Sequence, residues 1–388
     1  MSKIEKNILN FIEKYRFIIF MVLLTLVALY ARYRFLSFES WDYKEFLSPW
    51  FNYFKDNDGI KALKDFPGDY NAPYMTIMAL LSYIPIKSIY LIKLVSIISD
   101  FALAVLSARL TYILVKKDKK WLSYLTYIAV LFLPQVLLNG SFWGQCDSMY
   151  ASFCLLAIIL LLKKKYTRAF IALGFAFSFK LQFIFILPIF IVLYFSRKEY
   201  SIFNFLIIPL VDFILCLPAI ITGKPIIDCM MIYFNQPSTY EDFLQMNFIN
   251  IYQFASSSAN YIRPVGIIFT LAICVFALFY ILEKKIKWNN EKIITLALWF
   301  LVIITFCLPC MHDRYLYLGE VLSIVYYISY RKNGLLVAIV NINAILTYSS
   351  FLFNNNTVNF QFMAVIYMFI ILLFTKNTFK LLVDENEE

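Results

Sequence analysis

Four short stretches of this chain carry the residue types that acid–base and phosphate chemistry need. The first is Ser40-Trp41-Asp42-Tyr43-Lys44. Asp42 stands between aromatic neighbours, and a carboxylate stripped of part of its water is a stronger base, suited to taking a proton from a hydroxyl. The same carboxylate fits equally at the N-cap of a helix starting there. The second is Phe66-Pro67-Gly68-Asp69-Tyr70-Asn71-Ala72-Pro73-Tyr74. Gly, Pro and Asn set an irregular turn around a second carboxylate, Asp69, which is either a site group or the cap of a plain turn. The third runs from Gly140 to Ser148. There the Trp143 ring could stack on a sugar while Gln145 and Asp147 bond its hydroxyls, or Asp147-Ser148 could simply start the next helix. The fourth is cationic: Lys180 with Gln182, then His312, Asp313 and Arg314. Lys and Arg at a membrane surface suit a lipid phosphate. The alternative for Arg314 is pairing with Asp313 or Glu320, and for the lone His312 a structural hydrogen bond.

The elements that must position these groups follow from composition. The chain of 388 residues is 62% hydrophobic and 15% charged, against about half apolar and about a quarter charged in a soluble domain. A core of this size cannot hide that excess, so the bilayer is the solvent. The net charge of +10 does not indicate nucleic acid, because Lys and Arg gather in short clusters between apolar runs. If Lys116–Lys120, Lys163–Arg168, Arg197–Lys198, Lys284–Lys287, Arg331–Lys332 and Lys376–Lys380 are all cytoplasmic, the runs between them pair into about twelve crossings. These lie near 17–35, 92–115, 121–138, 148–162, 168–180, 182–195, 201–220, 264–282, 293–309, 315–330, 334–352 and 359–375. The expected fold is an all-α polytopic membrane protein of one domain, 1–388, with no soluble domain, both termini cytoplasmic and the site extracytoplasmic. Its external loops are 37–91, 139–147, 221–263, 310–314 and 354–357, and all four stretches fall on that face.

Several local expectations follow. The run after Arg16 is long and no small-residue cleavage site closes it, so it reads as a signal anchor rather than a removed leader. Tyr74–Ile86 is too short to cross and belongs to the long first loop as an interfacial helix. Lys44–Asp56 has its aromatics near helical spacing, as in an amphipathic helix lying on the membrane. The segment 170–195 must cross an even number of times and therefore break near Lys180, leaving a recessed site. Cys307-Leu-Pro-Cys310 ends a span and reads as structural, whereas a disulfide between Cys146 and Cys229 stays open. Asp100 and Asp212 lie within spans and read as interhelical hydrogen-bonders. No metal or cofactor is expected. Asp42, Asp69 and Asp147 are oxygen donors, but there is no His pair at i, i+4, no CxxC…CxxC set, no P-loop and no GxGxxG.

These stretches together resemble the glycosyltransferase C superfamily, which takes sugars from polyprenyl-phosphate carriers, and in particular its bacterial mannosyltransferase-like membrane proteins. The likeness rests on Trp41-Asp42-Tyr43…Pro49-Trp50-Phe51, Gly68-Asp69-Tyr70-Asn71-Ala72-Pro73-Tyr74, Trp143-Gly144-Gln145-Cys146-Asp147-Ser148, Phe177-Ser178-Phe179-Lys180-Leu181-Gln182 and Met311-His312-Asp313-Arg314-Tyr315. It implies an inverting hexosyl transfer without a metal, with Asp42 as catalytic base and Asp69 as the second loop carboxylate. Trp41, Tyr70, Asn71, Trp143, Gln145, Asp147 and Gln182 would bind substrate, and Lys180, His312 and Arg314 the lipid phosphate. The partners implied are a polyprenyl-phosphate-linked sugar donor, a glycan acceptor on a lipid carrier, and membrane lipid. Asp313-Arg314 departs from the Glu-Arg common in that family. Two rivals remain: a lipid-linked oligosaccharide flippase, which should carry ionisable groups along a central cavity, and a polysaccharide polymerase, whose large external loop usually comes late in the chain.

Overall fold

Each apolar run folds into helix because a backbone without water must bond to itself. The computed structural model describes residues 1–235, 243–255, 259–355 and 357–384. Parts of the expected external loops, 236–242 and 256–258 in one and 356 in another, lie outside the described residues. The N-terminal part holds α1 (Lys3–Phe35), α2 (Ser48–Asp56), α3 (Ala72–Leu81) and α4 (Ser88–Leu114). Next come α5 (Leu122–Leu131), α6 (Pro134–Leu137), α7 (Asp147–Leu162), α8 (Tyr166–Phe179) and α9 (Leu187–Arg197). α10 (Ile207–Thr222) leads through the short α11 (Ile226–Met230) and α12 (Ile232–Asn235). The chain closes with α13 (Ala259–Lys284), α14 (Asn290–Cys307), α15 (Tyr317–Tyr330), α16 (Gly334–Phe353) and α17 (Phe360–Val383). Among the described residues the one sheet is a parallel two-residue ladder, β1 (Gln245–Met246) on β2 (Met311–His312).

The fold is all-α and membrane-embedded. Among the described residues six helices are long and apolar enough to cross a membrane: Ser88–Leu114, Ile202–Thr222, Ala259–Lys284, Asn290–Cys307, Gly334–Phe353 and Phe360–Val383. A seventh is reached if Lys117–Leu131 and Pro134–Trp143, which meet at 53°, form one bent span. Pro134 makes that bend, since it has no N–H to continue the ladder. The expected crossing 17–35 lies in α1, which has 33 residues but is not among those six, and the other four are shorter helices: α7 has 16 residues, α8 14, α9 11 and α15 14. At about 1.5 Å per residue none of these four alone reaches about 30 Å, the usual hydrocarbon thickness.

The first loop is more protein-like than its sequence suggests. Helix begins at Trp41, passes through a π-turn (Tyr43–Leu47) and continues as α2. Its apolar face does not lie free for a membrane: Leu47, Phe51 and Phe54 are buried, and Phe54 stacks on Phe66 at 5.0 Å. Only α3 in the Tyr74–Ile86 region is helical, and it buries Tyr74, Met75, Met78 and Ala79.

One buried hub ties five helices. Arg32 of α1 bonds Asp100 of α4 at 3.0 Å and the Leu131 carbonyl of α5 at 3.1 Å. Asp100 also accepts from Ser148 of α7, whose hydroxyl lies 2.7 Å from that of Tyr317 of α15. Gly140 must pass directly over this hub, because a Cβ there would sit 2.8 Å from an Asp100 oxygen. Asp212 accepts from Asn71 at 3.0 Å. All seven cysteines are free, so the Cys146–Cys229 disulfide is not formed. The Cys229 thiol meets Cys216 of α10 instead.

Candidate active site

Ser40, not Asp42, caps the helix of the first loop. Its hydroxyl accepts from the Tyr43 N–H at 3.2 Å and donates to the Trp143 carbonyl at 2.7 Å. Lys93 secures the preceding turn, donating to the carbonyls of Phe35 at 2.8 Å and Phe38 at 2.6 Å. Asp42 makes no capping bond. Its Oδ2 instead accepts two N–H groups, Trp143 Nε1 at 2.8 Å and Gln145 Nε2 at 2.6 Å.

Trp143 closes a second π-turn (Leu138–Trp143) that ends at Gly144, whose φ of 88° favours glycine, and Gln145 follows directly. Asn139 fixes the loop by accepting the Gly144 and Gln145 N–H groups on its carbonyl. Its amide donates to Asp147 Oδ2 at 2.7 Å. Asp147 is buried, with Lys180 Nζ at 2.7 Å from Oδ1, so it does not act as a simple cap. Lys180 reaches it because α8 stops there: its backbone is extended (φ −155°, ψ 139°) and a 3₁₀ turn (Leu181–Ile186) follows.

Arg314 joins the parts. The β1–β2 ladder, with Cys310 N–H on the Leu244 carbonyl at 2.7 Å and Asp313 N–H on that of Met246 at 3.1 Å, holds its loop. The guanidinium lies on the Trp143 ring, 4.7 Å from its centre. It is 3.9 Å from Asp42, 3.7 Å from Asp147 and 3.5 Å from Asp313. Burial opposes its charge, but the carboxylates of Asp313, Asp42 and Asp147 outweigh burial and hold Arg314 above its ordinary value. No ion pair joins it to Glu320. His312 Nδ1 contacts Asp313 at 2.6 Å. Three carboxylates, those of Asp42, Asp147 and Asp313, thus surround the side chains of Arg314 and Lys180.

In front of this cluster opens a cleft of about 100 Å³, lined by Asp69, Tyr70, Asn71, Lys180, Gln182, His312 and Arg314 among others. Beside it lies an apolar cavity of about 330 Å³ between Leu181, Ile184, Phe185, Ile267, Leu308 and Met311. Leu181, Gln182 and Tyr315 line both. Loss of water raises the Asp69 carboxyl above the usual carboxylate range, against a backbone hydrogen bond that lowers it.

No family model matches the chain, and no curated protein matches it either. The geometry must therefore carry the functional argument.

Lys180, His312 and Arg314, the three residues expected to bind the lipid phosphate, line one cleft with Asp69, Tyr70 and Gln182. Other expectations need correction. Trp143 cannot stack on a sugar: it is fully buried, with Arg314 and Phe351 against its ring. Gln145 and Asp147 spend their side chains on Asp42, and on Lys180 and Asn139. Asn71 lines the cleft, but its amide donates to Ser178 and Asp212. Trp41 is 60% exposed, packs edge-on against Phe46, and does not line the cleft. Asp100 bonds between helices as its sequence position suggests, but Asn139 and Arg32 carried no expectation. Arg32, a charge inside an apolar run, was the available signal for the hub.

Proposed function

We propose that this protein transfers a monosaccharide from a polyprenyl-phosphate carrier to a hydroxyl of a lipid-linked glycan or cell-envelope polysaccharide, with inversion, on the extracytoplasmic face. The observation that carries this reading is the Arg314 guanidinium, which stands between Asp42 and the cluster of Asp147 and Lys180 behind the cleft. A base and an anion site are thereby coupled through one cation.

In this reading Asp42, which is buried and reaches the cleft lining only through Arg314 at 3.9 Å, is the general base. Two N–H donors on Oδ2 fix the carboxylate and leave Oδ1 to take the acceptor hydroxyl's proton. The acceptor oxygen forms the new bond to the anomeric carbon as the bond from that carbon to the phosphate oxygen breaks. The leaving group departs as a phosphate anion, and Lys180, Arg314 and His312 at the cleft wall offset its charge. Asp69, at the mouth, is the companion carboxylate facing the acceptor. The apolar cavity sharing Leu181 and Gln182 with the cleft receives the first isoprenoid units of the carrier. With the bent pair counted as one span, α1 and the short helices α7, α8, α9 and α15 complete twelve crossings, the short ones through a locally thinned bilayer, with both termini cytoplasmic.

The test supplies purified protein with synthetic polyprenyl-phosphate sugars and lipid-linked acceptors, reading product mass and anomeric configuration. An inverted glycoside supports the proposal. Movement of the lipid across a bilayer with no glycosidic bond formed would favour a flippase and sink it.

A further inference from the structure

A second cavity lies away from the proposed site, towards the end of the bundle where Lys116, Lys117, Lys119 and Lys120 cluster. It is a slot of about 800 Å³ between the Phe17–Leu26 part of α1, the Val105–Tyr112 part of α4 and the start of α5. Phe17, Met21, Val22, Leu26 and Val105 give it apolar walls. In the hydrocarbon layer such a slot takes an acyl chain or another helix. Its basic end decides between them. Arg109 stands 5.3 Å and Lys120 4.1 Å from the centre of the Tyr112 ring, so two cations flank one aromatic at the rim. Lys120 also donates to the Tyr112 carbonyl. Among the described residues neither cation has a carboxylate partner. Arg109 lies about 7–8 Å along the helix from Leu114, a depth at which an arginine reaches for phosphate. Tyr112 and Tyr124, 42% and 49% exposed, add hydroxyls at the same level.

We propose that this slot holds a phospholipid with an anionic headgroup, its acyl chain between α1 and α4 and its phosphate on Arg109 and Lys120. A single molecule then supplies both the chain and the negative charge that the slot lacks. A packed helix would need its own acidic residue at the rim. The inference is independent of the proposed transfer reaction.

The experiment reconstitutes the full chain in vesicles of equal phosphatidylglycerol and phosphatidylcholine, extracts it gently and counts retained lipids by native mass spectrometry. The expected result is at least fivefold more phosphatidylglycerol than phosphatidylcholine on the wild type. Arg109→Gln with Lys120→Gln should bring the ratio to about one, and Ala108→Phe, which fills the slot, should lower retention of both lipids. Lys120→Gln alone, in a surface turn, serves if the double variant fails to fold and should lower the ratio at least twofold. Equal retention by the wild type, an unchanged ratio in the variants, or a dimer whose contact crosses the slot would overturn the proposal.

Discussion

The carboxylate of Asp42 accepts the indole N–H of Trp143 at 2.8 Å, across 101 positions of sequence. The buried indole therefore serves as a bracket for a carboxylate, and its face carries Arg314. Trp143→Phe keeps an aromatic face and removes the donor. A hydrogen bond to a charged group is worth about 1.5–3 kcal/mol, so transfer should fall about 10- to 100-fold. Steady-state kinetics should place the loss in kcat, with KM for the donor little changed. Unchanged kcat would show that the indole does not hold the base.

Lys180 and Asp147 form an ion pair that is nearly inaccessible to water. Removing one partner strands the other charge, at a cost of about 3–5 kcal/mol. Lys180→Met should lower thermal stability sharply, and adding Asp147→Asn should restore much of it. Activity should stay low in the double variant, because Lys180 also lines the cleft proposed to hold the phosphate. Recovery of activity together with stability would reduce Lys180 to a structural role.

Gly140 passes over the Asp100 carboxylate with no room for a methyl group. Gly140→Ala should cost about 1–3 kcal/mol through overpacking. It should also displace the Trp143 turn, so kcat should fall alongside the melting temperature. A variant as stable and active as the wild type would mean that the hub yields without disturbing the site.

The parts of the site legible in sequence were those whose chemistry conflicts with a membrane: Asp42, Lys180 and Arg314 are costly charges at the ends of apolar runs. The break at Lys180 followed from topology, since charge clusters demanded an even number of crossings. The spacing could not reveal what each polar group touches. Trp143 looks like a sugar platform until Phe351 and Arg314 occupy its ring. Asp42 looks like a cap until Ser40, two residues earlier, takes that role. The β1–β2 ladder joins segments with no local strand pattern, so only tertiary contact makes it visible. About twelve crossings came from counting apolar runs, and the shortness of α8 and α9 on either side of the break at Lys180 was legible in the same count.

Asp69 provides a pH signature. Its carboxyl is raised above the ordinary range, chiefly by loss of water, so the folded protein binds that proton more tightly than the unfolded chain. The favourable contribution is present below the unfolded value, about 3.9, and is lost as pH rises through the raised folded value. Asp69→Asn should therefore gain stability relative to the wild type at neutral pH, with the gain vanishing near pH 4. Melting curves across that interval check the sign. A variant less stable at neutral pH would contradict it.

The most direct test of the account compares wild type with Asp42→Asn in a purified assay with a synthetic polyprenyl-phosphate sugar and a lipid-linked acceptor. The amide keeps the shape of the carboxylate but removes the base. The account predicts that glycoside formation falls at least a thousandfold while donor binding and melting temperature stay close to wild type. Full activity in the Asn variant would contradict Asp42 as the base.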